Sequence, residues 1–431
     1  MEKINKKILK NIQKDTFYEG CTFYCESKDY EYSYCQEDGD YYSYDSYSYE
    51  SDDDYDTSYD SPYGYEDELP SIENSHFKNC SFRGNIAFSG LENCTFVNCG
   101  FSGEFRLNLS ERDLEKIPNY VLDIEYLTCL DLAFNNISDL PQHLSKLKHL
   151  KELRLCYNKI SFFPEELLVL PKLEILDLSN NEIIDLPCEL ENFKSLKQLF
   201  LNNCRITNLR ELTNLPDLEI LELCQNNISS LPPSFKKMQS LKILRLHYNE
   251  INRLPIELGT LKSLNILGLS NNGITKLIPE LGLLCSLKIL DLSQNRIVEL
   301  ITELGKLHNL EKLDLSTNTI TKLVPELGKL QSLTKLNLYN NMVESFPLEL
   351  CDLMNVEVMF LGFNKINTLP PQISQLQNLK RLNLYDNNLK NVPIEICQLQ
   401  NLQELNLYAA KCTDEQKKLI KSRLAECKVY F

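Results

Sequence analysis

A pattern of the form LxxLxLxxNxIxxLPxxLxxLxx recurs along most of the chain, and nothing else in the sequence constrains the fold as strongly. In LKELRLCYNKISFFPEELLVL, Leu150, Leu153, Leu155, Asn158, Ile160, Phe163 and Pro164 return one period later as Leu173, Leu176, Leu178, Asn181, Ile183, Leu186 and Pro187. The pattern restarts at 104, 127, 196, 218, 241, 264, 287, 310, 333, 356, 379 and, in part, 402. Every interval is 23 residues except the 22 from 196 to 218, which gives thirteen full repeats and a fragment over 104–408. Self-similarity at this period implies a solenoid, in which no single turn can bury its own leucines and stability is a sum over neighbouring interfaces.

Each conserved letter of the period has a physical reason. The LxL pair has the period of a strand, so both leucines point to one face and their neighbours to the other. The Asn turns the chain out of the strand, and its buried amide needs partners. Eleven positions keep it: Asn135, Asn158, Asn181, Asn226, Asn249, Asn272, Asn295, Asn318, Asn341, Asn364 and Asn387, with Cys204 substituting once. A Leu-Pro step and a second LxxL then form a turn and a short helical segment. Nine repeats keep the Pro, while Arg210, Ile278, Ile301 and Val324 replace it. The residue missing from repeat 196–217 lies in this half, so irregularity is expected there.

The pattern resembles the leucine-rich repeat family, and steps such as LPIELGTLKSL are similar to its intracellular, Ras-suppressor-like class. The resemblance implies an α/β right-handed solenoid with a curved parallel sheet on the concave side and short helices or turns on the convex side. It also implies an Asn ladder and a non-enzymatic scaffold, some members of the class contacting small GTPases or phosphatase subunits.

Both ends of such a stack need covering. At 409–431, Thr413 and Gln416 have capping-box spacing, Ile420 and Leu424 give a helix an apolar side, and Lys428–Phe431 reads as an extra strand. At 71–103, Phe77 and Phe82, then Leu91, Phe96 and Phe101, fall five apart, with Cys80, Cys94 and Cys99 two positions before a phenylalanine. This resembles pentapeptide repeats, which build a four-sided β-helix. Because the stretch from Phe82 to Leu91 departs by one residue, the preferred expectation is a plain cap on the first repeat. Within 1–27, Ile4, Ile8 and Ile12 share a helical face, and Cys21-Thr22-Phe23 is a further pentad.

Charge separates one more segment. The chain carries 61 acids and 45 bases, a net charge of −16, which argues against a nucleic-acid-binding surface. Within 28–70 nearly all of that excess sits among twelve tyrosines, with almost nothing to build a core. It reads as a solvated acidic segment. A tyrosine-kinase substrate and a flexible docking arm are the competing readings.

No motif for phosphate binding, nucleophilic hydrolysis, zinc proteolysis or kinase activity occurs, so no catalytic residue and no cofactor is expected. Sixteen cysteines form no C-x-x-C pair and do not group with the five histidines, which points to reduced thiols rather than metal sites or disulfides, and to the cytoplasm. There is no apolar run long enough to span a membrane and no secretory leader.

Function is therefore expected on the concave sheet. Between and after the two leucines of successive repeats, the last repeats present Tyr339, Phe360, Phe363, Tyr385 and Tyr408 with Asn337, Asn383 and Asn406 beside them. Exposed aromatics next to amides suit a protein-binding hot spot. A second group is Arg154 with Tyr157, and Arg245 with His247 and Tyr248. The expected role is an intracellular protein-binding scaffold, the alternative a microbial effector that engages host protein or glycan through the same face.

Overall fold

The structure, a computed structural model, describes residues 17–24 and 71–431. The helix read at 1–14 and the acidic segment 28–68 lie outside the described residues. The described residues form two compact units, the first those up to Ser110 with Pro118–Asp131 and Lys146–Leu150, the second Glu111–Ile117 with Leu132–Ser145 and Lys151–Phe431.

In the first unit the five-residue period becomes a run of strands two to four residues long. Ser71–Glu73, His76–Lys78, Ser81–Arg83 and Ile86–Phe88 are followed by Gly90–Glu92, Thr95–Val97, Gly100–Phe101 and Phe105–Asn108. Each strand of the second set pairs in parallel with its counterpart in the first, Gly90 beside Ser71, Thr95 beside His76, Gly100 beside Ser81 and Phe105 beside Ile86. Phe17–Glu19 and Thr22–Tyr24 extend two of these pairings. The described strands of the segment thus stack on four sides. The departure between Phe82 and Leu91 is absorbed at one corner, where Ser89 alone separates two strands.

Two features hold this coil. Asn74, Asn79, Asn93 and Asn98 occupy the corners with left-handed backbone, φ 49° to 56°, which Asn tolerates better than most residues. Inside, Phe77 stacks on Phe96 at 4.9 Å, and Phe82 lies between Phe23 and Phe101 at 4.8 and 4.9 Å. Stacking of this kind adds roughly 1 kcal/mol per pair beyond area burial. Cys94 and Cys99 direct their thiols at the carbonyls of Ile72 and Phe77. Phe105–Asn108 also pairs with Cys129–Asp131, the next strand of the 23-residue array.

The second unit is the solenoid. Strands from Glu152–Arg154 to Lys428–Tyr430 pair in parallel, each with the next. Leu153 lies beside Leu176 and Leu176 beside Leu199, and this register continues to Leu405 beside Val429. These leucines are buried completely or nearly so. Opposite the strands, each repeat makes a 3-10 turn such as Ile256–Thr260, entered from extended backbone at Pro255. Ile278 and Ile301 take the same extended conformation without a Pro ring. In the short repeat the turn is Glu211–Asn214, four residues instead of five, and Arg210 before it is helical. The irregularity is where the sequence placed it.

The Asn ladder runs through the array, interrupted at Cys204, and its bonds explain why this residue is kept. Asn295 Oδ1 accepts from Ile274 N–H at 3.0 Å, while its Nδ2 donates to the carbonyls of Leu269, Leu292 and Ser293. One amide therefore closes the turn of its own repeat and ties it to the preceding one. Cys204 keeps part of this, its thiol facing the carbonyls of Leu178 and Asn202, and burial pushes that thiol up to about 11. Along the turns, a Cβ at Gly259, Gly282, Gly305 or Gly328 would lie within 2.1–2.5 Å of the next repeat's carbonyl oxygen. That close approach is the physical content of the LG step.

At the C-terminal end, the helix Asp414–Arg423 begins with the full capping box, Thr413 Oγ1 accepting from Gln416 N–H and Gln416 Oε1 from Thr413 N–H. Ile420 and Leu424 are buried, and Lys428–Tyr430 closes the sheet against Glu404–Asn406.

Asn295→Ala should cost about 3 kcal/mol in urea unfolding, because several buried backbone groups lose partners together. Asn309→Ala on the exposed turn side, where one bond to the Cys285 carbonyl is lost, should cost less than about 1 kcal/mol. Equal losses in the two variants would contradict this assignment.

Candidate functional site

In the second unit, the residues on either side of each buried leucine project from the sheet on the face opposite the core. Three regions differ in chemistry. Toward the C-terminal end, the rings form one chain: Tyr339 meets Phe363 edge-on at 5.2 Å, Phe363 meets Tyr385 at 4.8 Å, and Tyr385 stacks on Tyr408 at 5.2 Å. Tyr339, Phe360, Phe363 and Tyr385 are half-buried and Tyr408 is exposed. Phe360 has the Lys335 ammonium 6.0 Å from its ring centroid. Four of the five rings singled out from the sequence are therefore in contact, and Phe360 lies against Lys335 instead.

Their amide neighbours have a prior structural task. Asn337, Asn383 and Asn406 each accept, through Oδ1, the N–H two residues on, from Tyr339, Tyr385 and Tyr408. Asp291 and Asp314 do the same for Ser293 and Ser316. In these repeats the column ends the strand with an Asx turn before the chain enters left-handed backbone. Asn337 is a correction to the expected binding set: it is buried, and its amide donates to Asp314 at 2.8 Å. Asn383 and Asn406 are half-buried, with no bond from their amide nitrogens among the described residues.

The second predicted group separates. Arg154 is also a correction, being 4% exposed and ion-paired with Glu152 at 2.6 Å. A buried, paired guanidinium holds the sheet together and does not reach a partner. Tyr157 is exposed and stacks on Phe134 at 4.2 Å. Arg245 is paired with Glu222, which also accepts from Asn202. Tyr248 is exposed. Tyr157, Tyr248 and Phe363 all have positive φ, 54°, 55° and 51°, a conformation that costs a bulky residue of order 1 kcal/mol.

His247 anchors the middle region. A Cβ at Gly268 would come within 2.1 Å of its Nε2, so the imidazole lies across the space this glycine leaves. Its Nδ1 is 2.6 Å from Ser270 Oγ and 3.6 Å from Asp291 Oδ2. Burial, reinforced by Arg245, pushes its pKa down to about 4. Asp291 and Asp314 face each other in adjacent strands; burial raises both, and Asp291 raises Asp314 further. The neutral ring accepts the Ser270 N–H at Nδ1, and the buried carboxylates are satisfied by serines, Ser293 donating to Asp291 and Ser316 to Asp314. Among the described residues no group of three or more His, Cys, Asp or Glu side chains has the arrangement of a metal site.

Two parts of the face escaped the sequence reading. The column before the inner leucine also projects outward, and it places Ile220, Ile243, Ile266 and Ile289 side by side, half-buried, followed by Lys312 and Lys335. Strand alternation alone would have revealed it. Tyr430, 48% exposed and paired in register with Asn406, lies one strand beyond Tyr408.

Comparison with known proteins agrees with this architecture. A family model described as a leucine-rich repeat region matches residues 188–342, and a leucine rich repeat model matches 125–183, 149–206 and 354–409. A leucine-rich repeat protein of Leptospira interrogans is 32% identical over 76% of this chain and 95% of its own, with a TM-score of 0.64. Internalin InlF of Listeria monocytogenes is 26% identical over 72% of this chain and 87% of its own, also at 0.64. The functional domain of InlJ from the same organism, 23% identical over 68% of this chain and 65% of its own, shares the fold at 0.55. No curated protein matches in sequence. The chain belongs to the leucine-rich repeat family, whose members serve in general as protein-interaction scaffolds. No helix among the described residues is long and apolar enough to cross a membrane.

Because His247 is held below its unfolded value, it favours the fold above pH 6.5, and that contribution is lost as pH falls toward about 4. His247→Gln should therefore flatten the decline in chemical stability between those pH values, by up to about 3 kcal/mol. An unchanged slope would contradict the burial of the neutral ring.

Proposed function

We propose that the chain is a non-catalytic scaffold that binds a partner protein on the concave sheet, with the ring chain Tyr339, Phe363, Tyr385 and Tyr408, and Phe360 on the same face, as the main contact. The single observation that carries this reading is the continuity of that chain. Rings touch from one repeat to the next across the strands, on the side away from the leucine core. Aromatic rings held in place by their neighbours lose little freedom on binding, which suits a hot spot. Asn383 and Asn406 supply amide donors at its edge, Arg245, His247 and Tyr248 form a secondary region that modulates specificity, and Tyr157 lies apart on the same face.

Stacking of neighbouring rings also stabilises the sheet by itself. Their exposure in a row, ending with Tyr408 at 54%, favours a contact surface over a purely structural strip. Sixteen cysteines without a C-x-x-C pair favour a cytoplasmic setting. A second reading, a recognition factor acting on host protein or glycan, draws support from the likeness to the Leptospira and Listeria proteins. It uses the same face.

In affinity capture, the triple substitution Tyr339→Ala, Phe360→Ala and Tyr385→Ala should reduce recovery of specifically retained protein at least tenfold while the circular dichroism spectrum is preserved. Ile256→Ala and Leu348→Ala, at exposed apolar positions on the turn side, should leave recovery unchanged. Undiminished capture by the triple variant would contradict the reading.

A further inference from the structure

The ladder bonds successive repeats of the second unit in the same way along its length, and one interface departs from the rule. A regular ladder residue such as Asn181 supplies four bonds. Its Oδ1 accepts from Ile160 N–H at 3.0 Å, and its Nδ2 donates to the carbonyls of Leu155, Leu178 and Ser179 at 2.9, 3.0 and 3.3 Å. At Cys204 the amide is gone, and the N–H of buried Ile183, which a ladder oxygen would accept, faces sulfur instead. The thiol reaches the Leu178 and Asn202 carbonyls at 3.5 and 3.7 Å. Sulfur is a weak donor and a weak acceptor, so this interface has lost most of the directional bonding that the others share.

The turn side of the same repeat differs independently. Its 3-10 turn, Glu211–Asn214, is four residues long and is entered from helical backbone at Arg210. Asn309, Asn355, Asn378 and Asn401, each just before a repeat's first leucine, reach back to a carbonyl of the preceding turn region at 2.7–2.8 Å. Here Asp217 occupies that place, a carboxylate that accepts and cannot donate, and Asn214 Nδ2 reaches the Cys188 carbonyl at 3.4 Å. Nor does a glycine allow these turns the close approach made at Gly259, Gly282, Gly305 and Gly328.

The sheet side of the interface keeps its bonds. Leu176 lies beside Leu199 and Asp177 beside Phe200. Asn180 N–H donates to the Asn202 carbonyl at 2.7 Å, and Asn203 Nδ2 to Asn180 Oδ1 at 2.7 Å. The two sides of one interface therefore differ, bonded along the strands and weakly held along the ladder and the turns. Each repeat of a solenoid touches only its neighbours, so a weak interface uncouples what lies on either side of it.

We infer that the second unit is jointed between repeats 173–195 and 196–217. The two arms stay paired at the strands Ile175–Asp177 and Gln198–Phe200 and part at the turns Cys188–Asn192 and Glu211–Asn214. A few residues at the ends of elements absorb the motion, as in other hinges. Opening changes the distance from Tyr157 on one arm to Tyr339, Phe363 and Tyr385 on the other, so one chain fits partners of different breadth. The joint rests on bonding within the array and not on the identity of a partner.

The test is native-state hydrogen exchange, resolved to single residues and corrected for intrinsic rates, on the full chain and on Cys204→Asn. The amides to follow are Phe193 and Leu215, which bond to the Leu190 and Leu212 carbonyls of their own turns at 3.0 Å. Leu261 and Leu284 make the same bond in the regular part of the array, and Cys204→Asn leaves all four acceptors in place. In the full chain Phe193 and Leu215 should exchange at least tenfold faster than Leu261 and Leu284. Leu178 and Leu201, bonded across strands to Phe200 and Glu222, should stay slow. Cys204→Asn should slow Phe193 and Leu215 at least threefold; if that variant does not fold, the comparison within the full chain decides alone. Equal exchange at the four turn amides would overturn the joint. So would an effect of Cys204→Asn confined to the Ile183 amide, which would mark a missing acceptor and no motion. Leu178 opening together with the turns would overturn it as well, because the strands would then part too.

Discussion

One buried amide per turn is the constraint on which the rest of the second unit depends. Leucines supply the burial, yet leucines alone would accept any compact arrangement; side-chain packing is non-directional. The ladder residue fixes the turn at the end of each strand and bonds simultaneously to the turn before it. That double bonding sets the spacing between repeats, and with it the register in which outward-facing side chains meet. The ring chain is a consequence. Tyr339, Phe363 and Tyr385 touch because their strands are locked in step, not because the rings themselves organise the sheet.

The same locking explains how a surface can be both structural and available. Left-handed backbone follows the strand in each repeat, and the side chain there is thrown outward whatever its identity. Tyr157, Tyr248 and Phe363 sit at such positions although bulky residues resist them. The fold determines where a side chain projects, and the sequence then chooses its chemistry: isoleucine in the middle of the array, lysine and arginine beside the rings toward its end. Binding properties can therefore change along the array with little effect on stability, which suits a scaffold.

Most of the architecture was legible in the sequence because the period is long, frequently repeated and chemically explicit. Leucine positions, the ladder, the irregular short repeat and the capping box at Thr413 could each be read from local rules. The first unit was harder. A single missing residue near Ser89 disguised a four-sided coil, because a pentad count looks only along the chain, while the coil is held by phenylalanines meeting across successive windings. At the candidate site, the sequence identified which side chains project outward but not which are already engaged. Arg154 and Asn337 were misjudged for that reason, since burial and pairing depend on the neighbouring repeats. The outward column ahead of the inner leucine was overlooked although strand alternation implies it.

Hydrogen exchange of the chain with and without a captured partner addresses the central claim most directly. The account requires new protection of amides around the strands Lys335–Asn337, Val358–Phe360, Arg381–Asn383 and Glu404–Asn406 and the residues that follow them. Protection confined to the 3-10 turns on the opposite side, such as Pro325–Lys329 and Leu348–Asp352, would contradict it.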